Sequence, residues 1–192
     1  MLLSGKAERA VLTDIHSGPC AEADKALMRY GLHDRATLYC CDGIGDLELQ
    51  AGDSLVIAGM GGHEIASILR NVQFPDGLRM VLQPMWNREV LRRFLAMTGW
   101  ILEEEIIQEK GRFYTIFLPF KGGASRELTL PEASLGTRFS DENLDIHSLR
   151  PVEKLWIQKL YELYEKKSRK YPEYQEVCLA LKNLCGTFQA SI

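Results

Sequence analysis

Asp14, Asp42 and the run Gly59-Met60-Gly61-Gly62 are the residues of this chain whose types and spacing could do chemistry. Each follows a short apolar run: RAVLTDI before and through Asp14, ATLYCCD ending in Asp42, and DSLVIA before the glycines. A carboxylate at a strand end can accept hydrogen bonds from both hydroxyls of a ribose. Another can accept from an adenine amino group. Glycines, having no Cβ, let a ligand approach the main chain closely. In an open parallel sheet, ligands bind at the carboxyl ends of the strands where the strand order reverses. Each feature also has a plainer reading. An aspartate after a strand can be a helix cap, and a glycine cluster can be a tight turn. Three such features at consecutive strand ends point to a nucleoside-bearing cofactor.

The elements that would position these residues follow from periodicity. Strands are predicted at Arg9–Ile15, Ala36–Asp42, Asp53–Ala58 and Leu78–Pro84. The third is almost continuously apolar, as a strand covered on both faces would be. A helix opens at Gly18-Pro19, with Ala23, Ala26, Leu27 and Tyr30 on one face, and Gly31 stops it. Ile65, Ile68, Leu69 and Val72 stripe a second helix, and residues 88–98 form a third with Val90, Leu91, Phe94 and Leu95 inward. WILEEEIIQE and RFYTIFLPF flank Lys110-Gly111 and predict an antiparallel hairpin. This is an α/β chain with a doubly wound, Rossmann-like sheet and an antiparallel edge. The composition from Gly122 to about Pro131 suits a linker. Val152, Leu155, Trp156, Lys159, Leu160, Leu163 and Tyr164 then stripe one helix, and Tyr174 to Leu184 forms another. The expected division is a sheet domain at 1–121, with the linker and a helical hairpin at 122–192.

Composition narrows the function. The 192 residues carry a net charge of −3, with 46% hydrophobic and 26% charged residues. That argues against disorder and against a strongly basic nucleic-acid binder, although a local basic face can coexist with a small net charge. Five cysteines without CxxC spacing suit a reduced, cytoplasmic protein. No ligand cluster for a metal is found, no run spans a bilayer, and no signal peptide is read. GxGxxG, P-loop and GxSxG patterns are absent. Glu103, Glu104 and Glu105 read as a solvated strand edge rather than a site.

In order, TDIHSGPCAEADKALMRYGL, CDGIGDLEL, LVIAGMGGHEIASIL, VLQPMWNREVLRRFLAMTGW and EEEIIQEKGRFYTIF resemble the bacterial tRNA (adenine(22)-N1)-methyltransferase family. Those enzymes are class I methyltransferases dependent on S-adenosylmethionine (SAM). The resemblance covers roughly residues 9–118, and more loosely the C-terminal helices. It implies that Asp14, with Ile15 beside it, binds the SAM ribose, and that Asp42 and Gly43 contact the adenine. Ala58, Gly59, Met60, Gly61 and Gly62 would form the floor between methyl donor and target base. Gln83 and Pro84 match a QP motif at the next strand end; Gly59, Met60, Gly61, Gln83 and Pro84 are thus the expected catalytic set. The family often has asparagine after that pair, where this chain has Met85. Methyl transfer is an in-line displacement in which positioning supplies much of the acceleration. Adenine N1 is already nucleophilic, which fits strand ends without histidine or lysine. Reaching N1 in a base pair requires extruding the base. Candidate tRNA contacts are Arg88, Arg92, Arg93, Lys166 and Lys167, then Lys154, Lys159, Arg169 and Lys170; an ordinary solvated basic face is the alternative.

In class I methyltransferases a strand and glycine-rich loop that hold the methionine part of SAM precede the segment matched here. Met1 falls where the following helix should end, so the expectation is a chain incomplete at its N-terminus, with another segment filling the gap or the two strands closing up as the alternatives. The strands at Arg9–Ile15 and Asp53–Ala58 would each lack a neighbour, and unpaired backbone groups in a sheet are costly. Two alternatives stand beside the enzyme: a non-catalytic RNA- or partner-binding remnant, and a methyltransferase for a small molecule. From the missing loop, the 192 residues should bind SAM weakly or not at all. Calorimetric titration checks this, and low-micromolar affinity would overturn it.

Overall fold

The computed structural model describes residues 1–189. The chain divides into two units, Met1–Leu49 with Asn71–Gln73, and Gln50–Arg70 with the chain from Phe74 on. In the first unit, β1 (Ala10–Asp14) and β2 (Ala36–Cys40) run parallel, in register from Ala10 opposite Ala36 to Asp14 opposite Cys40. Helix α1 (Ser17–Arg29) crosses between them, with Pro19 in its first turn. Its buried residues are Cys20 and Leu27, seven apart, whereas Tyr30, expected inward, is exposed. The Cys20 thiol donates to the Asp14 carbonyl at 3.4 Å and fastens the helix start to the end of β1.

In the second unit the strand order is β3-β4-β6-β5. Strands β3 (Ser54–Met60) and β4 (Arg79–Pro84) are parallel and joined by α2 (Gly62–Arg70). Helix α3 (Arg88–Met97) leads to the hairpin of β5 (Trp100–Glu109) and β6 (Arg112–Lys121). Lys110 and Gly111 both have positive φ, 48° and 77°. That is the turn twist a two-residue hairpin favours. Strand β6 inserts beside β4, leaving β5 at the edge. As expected, β1 and β3 each have a single strand partner among the described residues.

Leu55, Ile57, Met80, Leu82 and Phe117 are buried on one sheet face, with Ile65, Ala66, Leu69, Leu91 and Leu95 of α2 and α3. The other face differs from expectation: Val56 is 51% exposed, so β3 is not covered on both sides. Along β5 the alternation puts Glu103 and Glu105 outside, but Glu104 inside with Ile106. The solvated-edge reading therefore fails for Glu104, whose side chain is only 6% exposed. Its neighbours two residues away, Leu102 and Ile106, share its face.

The segment after β6 is not a free linker throughout. Thr129 caps α4 (Leu130–Leu135) in a reciprocal capping box with Glu132. Arg126 donates to Glu132 at 2.8 Å and, with Thr129, holds that carboxyl below its ordinary range against the effect of burial. Helices α5 (Pro151–Lys170) and α6 (Gln175–Gln189) form the predicted helical hairpin. They share a core of Leu135, Phe139, Leu149, Trp156, Ile157, Leu160, Tyr164, Val177 and Leu181 with Ile106 of β5. The buried stripe of α5 is rotated from the expected one: Leu155, Lys159 and Leu163 are exposed, while Glu153 and Ile157 are buried.

Glu153 explains part of that rotation. Its carboxylate accepts from the Arg150 backbone N–H at 2.8 Å, from Arg138 at 2.6 Å and from the Arg150 guanidinium at 3.3 Å. Burial pushes its pKa up, but these bonds outweigh burial and hold it below the ordinary value. A carboxyl whose folded pKa is depressed stabilises the fold above its unfolded pKa. That contribution is lost as pH falls through the folded value. E153Q should therefore lower Tm at neutral pH, with the gap to wild type closing below about pH 4.3. A gap that stays constant in melts down the acid limb would contradict this.

Candidate functional site

At the carboxyl end of β1, one oxygen of Asp14 accepts the His16 backbone N–H at 2.8 Å, which turns the chain into α1. The residue that caps α1 is His16, so Asp14 is not its helix cap. Its second oxygen makes no hydrogen bond among the described residues. Ile15 is exposed beside it. At the end of β2 the strand stops at Cys40, two residues short of expectation, and the chain turns. The Asp42 carbonyl accepts the Gly45 N–H at 3.0 Å. Gly43 and Gly45 take φ of 58° and 55°, which glycine adopts without strain. No helix follows Asp42, so the capping alternative fails there too, and its exposed carboxylate is left without a partner among the described residues.

In the second unit, the glycine run sits where β3 meets α2. The register slips between Ala58 and Met60, so Gly59 is bulged out of the ladder at φ 80°. Gln83, on the neighbouring strand end, braces that bulge: its Oε1 accepts the Gly59 N–H at 3.1 Å. Its Nε2 donates to the Met85 sulfur at 3.3 Å. Met85 thus takes the place where a polar side chain was expected, and it serves to orient Gln83. Two more bonds stitch the loops together, Met85 N–H to the Met60 carbonyl at 2.8 Å and Gly62 N–H to the Trp86 carbonyl at 2.9 Å. Pro84 is buried opposite Met60.

The last two glycines are required by space. A Cβ on Gly61 would strike the Trp86 indole nitrogen and the Glu64 carboxylate. A Cβ on Gly62 would strike the Asn87 carbonyl oxygen. Asn87 itself is left-handed, φ 53° and ψ 38°, as it turns the chain into α3. The structure thus brings Ala58, Gly59, Met60, Gly61, Gly62, Gln83 and Pro84 into one braced pair of loops. Trp86, Asn87 and Glu64 belong to the same pair and were missed. Only the exposed position of Trp86 just past a strand end signals it.

The expected RNA contacts separate into two groups. Arg92 is a correction: its side chain is 1% exposed and faces inward. Its Nε and Nη2 donate to the two oxygens of Glu104 at 2.8 and 2.7 Å, and Nη1 donates to the Ala133 and Ser134 carbonyls. Arg93 is half-buried and donates to the Leu128 carbonyl at 2.6 Å. The apolar neighbours Leu91 and Leu95 were the signal that this face of α3 is internal. Lys166, Arg169 and Lys170 are exposed on α5. The Lys167 ammonium lies 3.6 Å from the Tyr174 ring centroid. Burial opposes its charge, but Tyr174, Glu89 and Tyr164 outweigh burial and raise its pKa. Arg88, lowered by burial and then by Arg92, shares Tyr164 as a neighbour. The start of α3 and the end of α5 therefore carry one group of basic and aromatic side chains. Among the described residues no metal-ligating cluster occurs, and no helix is long and apolar enough to cross a membrane.

A family model described as a methyltransferase domain matches residues 1–117. The tRNA (adenine(22)-N(1))-methyltransferase of Bacillus subtilis is 28% identical over 124 residues, which are 63% of this chain and 52% of that protein. The chain spans about half the length of the curated relatives it matches. Streptococcus pneumoniae Sp1610, described as a candidate tRNA (m1A22) methyltransferase and solved with S-adenosyl-L-methionine, is similar with a TM-score of 0.75. That match is 26% identical and covers 96% of this chain and 85% of the other. M. capricolum TrmK, solved with S-adenosyl-homocysteine, has a TM-score of 0.65 at 20% identity, over 96% and 84% of the two chains. At that identity the likeness is one of fold.

The crowding at Gly62 is a testable constraint, because its neighbour there is backbone and cannot rotate away. G62A should cost about 1–3 kcal/mol of stability, the usual range for overpacking. G59A meets open space and carries only the strain of its positive φ, about 1–2 kcal/mol. Equal stability of G62A and wild type in urea melts would show that the two loops are not held as described.

Proposed function

The chain belongs to the methyltransferase domain family, and from that premise we propose that it moves a methyl group from SAM to N1 of an adenine in tRNA, of the position-22 type. The observation that carries the reading is the braced glycine turn at Gly59–Gly62. It leaves the main chain of Gly59 facing open space at a strand end, held there by Gln83, while Trp86 and Glu64 pack over Gly61. The acceptor set suits the cofactor: beyond β1 Asp14 keeps one carboxylate oxygen unpaired and beyond β2 Asp42 keeps both, among the described residues, as the hydroxyls and amino group of a nucleoside require. When held by Asp14, Ile15, Asp42 and Gly43, SAM would supply an electrophilic methyl carbon on a sulfonium; the N1–C bond would form as the C–S bond breaks, the sulfur leaving as a neutral thioether and the positive charge passing to the base.

The roles of this chain's own residues follow. Asp14, with Ile15 beside it, would hold the ribose, and Asp42 with Gly43 the adenine of the cofactor. Ala58, Gly59 and Met60 would line the cofactor, and Gly61, with Trp86 packed on it, would complete the floor beside the target base. Gln83 and Pro84 would position that turn rather than move a proton, since N1 has none to lose before attack. Catalysis would then rest on placement of the two reactants. Arg88, Lys166 and Lys167 are the basic side chains assigned to the RNA backbone. Residues 1–121 would form the methyltransferase part and 122–192 the helical part. A tRNA substrate would be met in the cytoplasm, the location that goes with this reading.

The test is methyl incorporation into an unmodified tRNA transcript at saturating SAM. Digestion and mass analysis should find 1-methyladenosine at the position-22 adenine, and none when that adenine is replaced by guanine. D14N should raise the SAM requirement. Salt-dependent tRNA binding without incorporation would favour the RNA-binding remnant. Incorporation into a small molecule alone would favour the third reading.

A further inference from the structure

The loop after β4 carries an aromatic side chain that the catalytic assignment leaves out. Trp86 is 53% exposed, and Met85 beside it 41%. An exposed indole in a turn is usually mobile, but here its backbone is held on both sides. The Trp86 carbonyl accepts from Gly62, and the Met85 N–H donates to Met60. The edge of the indole rests on the bare α-carbon of Gly61, where any side chain would collide with it. So one edge of the ring is seated on the glycine turn while half of its surface stays open.

Gln83 serves as a brace of the glycine turn in this arrangement. Its oxygen is engaged by the Gly59 N–H and its nitrogen by the Met85 sulfur. One bond on each arm fixes the orientation of the amide, which keeps one further donor and one further acceptor position. The N1 edge of an adenine must face the methyl donor, and the flat face of the ring stays open for the protein to hold. A seated, half-open indole matches that face. Stacking also suits the charge change: the base becomes cationic on methylation, and an indole face attracts a cation.

We propose that Trp86 is the stacking platform that positions the acceptor adenine over the Gly59–Gly62 turn. This rests on the methyl-transfer reading above. The basic and aromatic group at Arg88, Lys167 and Tyr174 begins two residues along the chain, where the flanking nucleotides would pass.

The experiment compares wild type, W86A and W86F with tRNA substrate in three readouts: kcat/KM for tRNA, SAM affinity, and quenching of tryptophan emission by tRNA. W86A should lower kcat/KM for tRNA by about 10- to 100-fold, the usual weight of one aromatic–base stack. SAM affinity should not change. W86F should recover activity to within about threefold, because a phenyl ring still stacks. Quenching seen in wild type should disappear in W86F, which lacks that indole. Unchanged kcat/KM in W86A would overturn the platform while leaving the methyl-transfer reading intact. Loss of SAM affinity in both variants would show a merely structural residue and also overturn it. A wild-type chain that neither methylates nor binds tRNA would remove the parent reading and this inference with it.

Discussion

The second unit depends on one buried ion pair. Arg92 and Glu104 are 1% and 6% exposed, and every guanidinium nitrogen has an acceptor. Taking two charges out of water costs several kcal/mol per ion, so the pair is tolerable only with full hydrogen bonding. The carbonyls of Ala133 and Ser134 complete that bonding. As a result α3, the edge strand β5 and the end of α4 must meet at one point. Gly136, at φ 93°, gives Glu104 the space to lie against the chain there. The Phe117 ring, 5.2 Å from the guanidinium, closes the remaining side. Removing one partner alone would leave a buried charge unpaired, a loss of about 3–5 kcal/mol.

That fixed point has consequences at both ends of α3. Its start follows directly from the Met85–Asn87 loop, whose main chain is bonded to the glycine turn. Its flank holds the segment leading to the helical hairpin through Arg93 and the Leu128 carbonyl. The helical hairpin is joined to β5 by Ile106, two residues beyond Glu104 on the same face. The proposed reacting loops and the proposed RNA-binding helices thus share one rigid reference within this unit.

The chemistry proposed needs little from side chains. A nucleophile with its own lone pair and a donor with a good leaving group require placement, not proton transfer. This agrees with the character of the loops, where the polar groups of Gln83 and of the main chain are engaged with each other. Space is set by what is missing: a Cβ at Gly61 or Gly62 would meet an indole, a carboxylate or a carbonyl. Glycine in this run is therefore a packing requirement as well as a conformational one.

Much of this was legible in the sequence because the signals are local. Strand and helix periods, the hairpin at Lys110-Gly111 and the acids and glycines at strand ends depend on neighbours a few residues apart. The single strand partner that β1 and β3 each have among the described residues was expected from the family resemblance rather than from local signals. Long-range partners were not legible. Arg92 looked like a surface cation because nothing near it in the chain announces Glu104, twelve residues away on another element. Glu104 looked solvated because three acids in a row hide the alternation that buries the middle one. The stripe of α5 was misplaced by about one position, since a glutamate that belongs inside only shows itself once Arg138 and Arg150 surround it. The sequence by itself determined the elements and the backbone chemistry at their ends. Tertiary structure alone decided which charges are buried, because burial of a charge depends on partners that chain order does not bring together.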